Sequence, residues 1–299
     1  LMRKLVLVGA LAGVLLSDWA SAQSFFAMRR GRSLILNVGT GTASYFGELT
    51  NDGDYLQAKP NFSAGFQYYI TNRISVRSEA TWFQLSGTDA KATIESARRP
   101  RNLSFSENNF EINAVGIFDL YPHGRSFYQR PSFNIYGFAG FGLMYFNPTT
   151  VYQGQKISLA PLQTELVSYS RVTPVIPMGI GVRFRATPFM NISIEGGFRK
   201  TFTDYLDDVS TVHHDASKFS NPLAAALSDR GPEVGYPISP DGYIRGNPKT
   251  DDAYMLYSIR VEYYLPVNFF ESKGNGQKTF KNKRKAFYRY NKRGGLRKR

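Results

Sequence analysis

Three histidines, one short acidic run and no cysteine are what this chain offers for chemistry. Without cysteine there is no disulfide staple and no thiolate metal site. His123 stands alone, and His213 and His214 are adjacent, so neither has a second ligand at the spacing of a helical metal site. A Ser–His hydrolase would need a serine beside its base, and Ser210 or Ser217 could be cast for that part. Adjacent histidines in a polar stretch read more simply as solvated side chains. Asp204, Asp207 and Asp208 could gather calcium through carboxylate oxygens, but they lack the glycine-centred ligand loop. They read as caps or solvated turn residues. Glu79 and Glu111 could form a catalytic carboxylate pair, and structural ion pairing is the stronger reading. The expectation is no catalytic residue, no cofactor, no metal and no enzyme.

Those side chains must be positioned by something, and the pattern along the chain says by what. From Asn61 to Ile70, Phe62, Ala64, Phe66, Tyr68 and Ile70 alternate with Ser63, Gly65, Gln67 and Tyr69. A period of two is that of a strand with one apolar and one polar face. It returns over 33–45, 74–85, 109–121, 133–145, 176–186, 192–202 and 253–265, making eight strands. Gly39-Thr40-Gly41 inside the first suggests a bulge. The connections alternate in length. Segments 71–73, 123–131 and 187–191 are short, whereas 47–59, 88–108, 147–174 and 203–252 are long. Outer-membrane barrels have short periplasmic turns and long external loops. The fold class is therefore all-β, an eight-stranded antiparallel transmembrane barrel. An even strand number puts both termini in the periplasm.

On this register Arg77, Arg183, Arg185, Arg199 and Arg260 point inward, as do Glu79, Glu111, Asp119, Glu195 and Glu262. Five charges of each sign cancel. Eight strands leave an interior only wide enough for side chains, so the set reads as a plug of ion pairs. Tyr68, Tyr69, Trp82, Tyr121, Tyr145, Phe146, Tyr263 and Tyr264 cluster at strand ends, where an aromatic girdle meets lipid headgroups.

Arg3 and Lys4, an apolar run from Leu5 to Leu16 and Ala20-Ser21-Ala22 make residues 1–22 a signal peptide. Residues 23–32 follow as an N-terminal periplasmic segment, 33–266 as the barrel and 267–299 as a periplasmic tail. The whole chain has 37 Lys+Arg against 23 Asp+Glu, or +14, and residues 267–299 alone hold +11. Basicity thus belongs to the tail. There Lys281, Lys283, Arg284, Lys285, Arg289, Lys292 and Arg293 are interleaved with Phe280, Phe287, Tyr288 and Tyr290. In the cytosol that mixture would suggest nucleic acid. After export the available partners are anionic headgroups, peptidoglycan carboxylates or an acidic protein face, so this is a possible periplasmic docking surface.

The stretch Thr201-Phe202-Thr203-Asp204-Tyr205-Leu206-Asp207-Asp208-Val209-Ser210-Thr211 resembles a signature of PorG-like proteins of the Bacteroidetes. Ser44-Tyr45-Phe46-Gly47-Glu48-Leu49 is similar to the same family's Tyr-x-Gly-acid-Leu segment. Arg101 to Phe105, Ile176 to Gly181, Arg245 to Pro248 and Asp252 to Tyr254 extend the likeness across the barrel. The resemblance implies an outer-membrane structural subunit of type IX protein secretion, and of gliding motility where that system serves it. It implies outer-membrane lipid and periplasmic ring proteins, PorK-like and PorN-like, as partners, with neither nucleic acid nor a small-molecule substrate. The basic tail departs from the family pattern, so its role is not inherited. Two other classes remain: a free-standing barrel of the OmpA or OmpW kind, for adhesion or small-solute passage, and a lipid-modifying enzyme using the histidine pair.

Overall fold

The computed structural model describes residues 32–50, 59–93, 96, 98–124 and 127–266. The expected signal peptide, most of the expected N-terminal segment and the basic tail, with its seven named Lys and Arg residues, lie outside them.

Eight long strands follow one another: β1 (Leu34–Phe46), β2 (Lys59–Tyr69), β3 (Ile74–Thr88), β4 (Ser104–Asp119) and β5 (Phe133–Tyr145), then, after a small hairpin of β6 (Thr149–Tyr152) and β7 (Gln155–Ser158), β8 (Val172–Thr187), β9 (Met190–Thr201) and β10 (Ala253–Tyr264). Each pairs antiparallel with its neighbour, and β1 pairs with β10 from Ile35↔Tyr264 to Phe46↔Ala253. The sheet is a closed eight-stranded barrel. Closure removes both sheet edges, which a barrel in lipid requires.

The two faces of the wall are inverted relative to a water-soluble protein. Phe141, Ile180, Ile112 and Ile259 stand outward and are exposed, whereas Asn113, Glu195, Arg183 and Arg260 on the alternate positions are buried. An apolar exterior over a polar interior is the arrangement of an outer-membrane barrel. No described helix is long and apolar enough to cross a membrane.

Several details differ from the sequence expectation. The register runs unbroken through Gly39 and Gly41, so they form no bulge; the irregularity lies between Arg185 and Thr187. Gly39 faces inward, where a Cβ would come within 2.9 Å of the Arg260 side chain. It makes room rather than a kink. β3 and β4 run on to Thr88 and start at Ser104, beyond the expected ends, and stay paired there from Leu85↔Glu107 to Thr88↔Ser104. The hairpin β6–β7 was not anticipated; it stands outside the ring and touches β4 at Ser106↔Thr149. Tyr69, Phe146 and Tyr264 leave the expected girdle, since each follows an outward aromatic and a period of two turns it inward.

Candidate functional site: the lumen and its loop cap

The lumen is filled in layers. At the short-turn end Ile35, Phe127 and Tyr264 cluster, with Tyr69 and Phe189 packed against them. Arg130 lies over the Tyr264 ring at 4.5 Å. Its guanidinium donates to Asn191 Oδ1 at 2.7 Å and to the carbonyls of Phe127, Thr187, Pro188 and Met190. Above this, Arg183 Nη1 lies 2.6 Å from Asp119 Oδ1 and its Nε 2.7 Å from Glu262 Oε2. His123 Nε2 sits 3.6 Å from Asp119 Oδ2 and 3.3 Å from the Tyr69 hydroxyl, so it belongs to this layer.

The middle layer is a four-residue knot. Arg77 holds Glu195 with two hydrogen bonds, 2.8 and 2.9 Å, and Arg260 grips Glu79 through both nitrogens while Nη2 reaches Glu195 at 3.3 Å. The Tyr136 hydroxyl donates to Glu195 at 3.1 Å. Higher still, Glu111 accepts from Tyr254 at 2.6 Å and from Asn113 at 2.6 Å, with Arg199 Nε 3.7 Å away. Such pairing is what lets charge stay buried. Glu79 and Glu111 are thus engaged in separate layers and form no carboxylate pair.

Nine of the ten expected inward charges lie in these layers, and Arg185 does not. It is exposed at the rim and donates to the carbonyls of Tyr128 and Arg130 and to the Ser132 hydroxyl. The strand irregularity that follows it and the nearby turn carbonyls hold it there. The nine therefore carry four positive and five negative charges.

At the long-loop end an apolar cluster closes the lumen: Phe83, Leu85, Phe105, Met144, Phe146 and Leu256 from the wall, Leu49, Leu206 and Val209 from the loops. Sequence reasoning missed this lid, although its wall residues follow the inward alternation. Residues 201–211 are its keystone. Tyr205 stacks on Tyr169 with centroids 4.6 Å apart. Asp208 takes the left-handed backbone at φ 67° and accepts from the Tyr169 hydroxyl at 2.6 Å and from Thr164. Asp207 Oδ1 caps the Val209 N–H at 2.9 Å. Glu165 accepts the Ser210 and Thr211 N–H groups at 2.9 Å and holds Arg245 at 2.6 Å. Arg101 grips Asp89 with Nε at 2.7 Å and Nη2 at 2.9 Å, and its Nη1 donates to the Arg245 carbonyl.

Charge in the lid is less evenly met. Burial raises Asp208 to about 6 although Arg245 opposes it, and raises Asp204 to about 7. Burial would raise Glu165 too, but Arg245 and the Ser210 N–H hold it below its usual range. His213 is buried, contrary to the solvated reading, and burial with Arg245 nearby pulls it down to about 4. Its Nδ1 has no partner, and neither Ser210 nor Ser217 bonds to it. His214 is 3.8 Å from the exposed Asp241. No nucleophile–base pair forms among the described residues.

Residues 24–221 match the model of a family described as a domain of unknown function, DUF6089. The chain belongs to the DUF6089 family. A comparison with curated proteins gives no match. Solved structures similar to the chain include Ail, the attachment invasion locus protein of Yersinia pestis, at 11% identity over 78% of this chain and 98% of that one, TM-score 0.39. Neisserial surface protein A shares 12% over 78% and 97%, TM-score 0.38. The outer membrane protein OprG from Pseudomonas aeruginosa shares 10% over 79% and 97%, TM-score 0.37. Those values are too low to transfer anything from these proteins to this DUF6089 member.

Proposed function

We propose that this DUF6089 protein is a non-conducting barrel whose work is structural, an anchor in the outer membrane for a periplasmic assembly. The supporting observation is the filled lumen, with ion-paired layers between an aromatic plug and an apolar lid. A solute path would need a continuous wet column, and Arg77, Arg199, Arg260, Tyr136 and Tyr254, all at most 2% exposed, occupy it. The assembly we assign is the type IX secretion machinery, through PorK-like and PorN-like ring proteins, on the likeness of 201–211 and its companion segments to PorG-like proteins. In this reading the long loops face outward, the short turns and basic tail face the periplasm, and the tail adds salt-sensitive attraction to the ring or to anionic headgroups.

A second reading, a free-standing barrel that adheres through its cap, is favoured by Ile238 and Ile244, about 70% exposed beside Tyr236 and Tyr243. Deletion of the gene separates the two. Loss of protein secretion with an intact envelope supports the anchor; normal secretion with reduced surface adhesion supports the second. Steady conductance from purified protein in planar bilayers would sink the non-conducting anchor and favour a free-standing barrel that passes small solutes.

A further inference from the structure

The register of the closing seam gathers three acidic residues that are far apart in sequence. Phe46↔Ala253 and Lys200↔Ala253 are ladder partners, so Glu48 just past β1, Asp204 just past β9 and Asp252 just before β10 arrive together. Each offers an oxygen, and the three oxygens lie within 4.8 Å of one another. That is about the span across a calcium ion with ligands at 2.3–2.6 Å.

We infer that Glu48, Asp204 and Asp252 form a divalent-cation site in the loop cap, with calcium as its ion and Asp207 beside it. Crowding of acids alone would not say so; the state of the individual oxygens does. Asp204 is only 8% exposed, yet neither carboxylate oxygen receives a hydrogen bond of ordinary geometry. Glu48 Oε2 and Asp207 Oδ2 are likewise shielded and unpartnered. The other oxygens are held in place: Asp252 Oδ1 by the Tyr45 hydroxyl at 2.6 Å, Asp252 Oδ2 by the Leu206 N–H at 2.9 Å, Asp207 Oδ1 by the Val209 N–H and Glu48 Oε1 by the Asn247 N–H at 3.3 Å. A carboxylate oxygen that accepts one hydrogen bond keeps a lone pair for a metal.

No basic side chain balances the four acids. Arg101 is the nearby cation, and its guanidinium already grips Asp89 with two nitrogens. The cap is left with an excess of sheltered negative charge. A doubly charged ion would relieve that excess. All-oxygen donors select a hard cation, and a sheltered, irregular set of carboxylates suits calcium better than magnesium, which sheds water reluctantly and demands octahedral geometry. Gly47 completes the fit, because a Cβ there would fall 1.9 Å from Asp252 Oδ1 and from the Tyr45 hydroxyl.

The test uses the full chain in detergent at pH 8 after treatment with a chelator. Terbium is added, with tyrosine excitation, since Tyr45 is bonded to a ligand. We expect saturable luminescence that calcium displaces. Asp204→Asn should weaken terbium affinity roughly 10–100-fold, the scale of damage to metal-site partners. Asp241→Asn, an exposed cap acid paired with Lys218, should leave it unchanged. Should Asp204→Asn fail to fold, Glu48→Gln takes its place, and calcium should slow proteolysis of the wild-type cap relative to chelator. Absence of saturable binding, or equal affinity in wild type and Asp204→Asn, overturns the site.

Discussion

The lumen and the loop cap both bury carboxylates, and they settle the charge in opposite ways. In the lumen arginines and acids meet across a closed ring, so Glu79 and Arg77 of β3 face Arg260 of β10 and Glu195 of β9. In the cap Glu48, Asp204, Asp207 and Asp252 meet one another. Strand register delivers complementary partners. Chain reversals at a seam deliver whatever the loops carry, and a leftover charge has to be answered from outside the protein.

The sharpest way to break this contrast is inside the knot. Arg260→Ala removes the hydrogen-bonded arginine of buried Glu79, leaving it only Arg77 Nε at 3.7 Å as counter-charge, and should cost about 3 kcal/mol, the lower end of the scale for breaking a buried pair, read by urea unfolding in detergent. The double change Arg77→Met with Glu195→Met removes both partners of a pair and should cost less than either single change. Equal costs would mean that the pairs are not the currency of the lumen.

Gly47→Ala comes next. Forcing a methyl against Asp252 and Tyr45 should destabilise the cap by about 1–3 kcal/mol, the overpacking scale, seen as faster proteolysis of the loops with strand content unchanged by circular dichroism. Loss of the barrel itself would show that cap and wall are one cooperative unit.

A smaller effect follows from His213. Burial and Arg245, with Arg101 behind it, hold it down to about 4, against Asp229 and Glu165, which favour its charged form. The unfolded cap therefore binds the extra proton first, so this histidine stabilises the cap above about pH 6.5 and loses that contribution as pH falls toward 4. Comparing cap proteolysis in wild type and His213→Asn at pH 7 and pH 5 reads it. The wild type should lose more protection on acidification; identical losses would remove His213 from the account.

Arg185→Gln should do least. An exposed rim side chain away from the core is worth within about 0.5 kcal/mol. A lumen-sized effect would return it to the interior set.

How much of this was readable beforehand depended on periodicity. Alternation alone placed Arg77, Glu195 and Arg260 inside, because every second residue of a strand must share a face. It failed at Arg185, where the ladder irregularity and free turn carbonyls decide the direction of the side chain. It also failed in the loops, which have no period. His213 and Asp204 read as solvated or capping residues, and only the three-dimensional return of 201–213 into the cap buries them. The Glu48–Asp204–Asp252 grouping was implicit in the β1–β10 and β9–β10 registers, but those are known only once the ring is closed. The fit of the DUF6089 model over 24–221 leaves Asp252 outside the matched stretch.

One consequence concerns assembly. The first and last long strands are mates, so Ile35 waits for Tyr264 across almost the whole described chain. Until β10 arrives, β1 offers a row of unsatisfied amides and carbonyls that neither oil nor a half-built ring can satisfy. Such distant pairing is slow by nature. Insertion should therefore be a late, concerted event, and a nascent chain lacking its last strand should remain a client of whatever chaperones it.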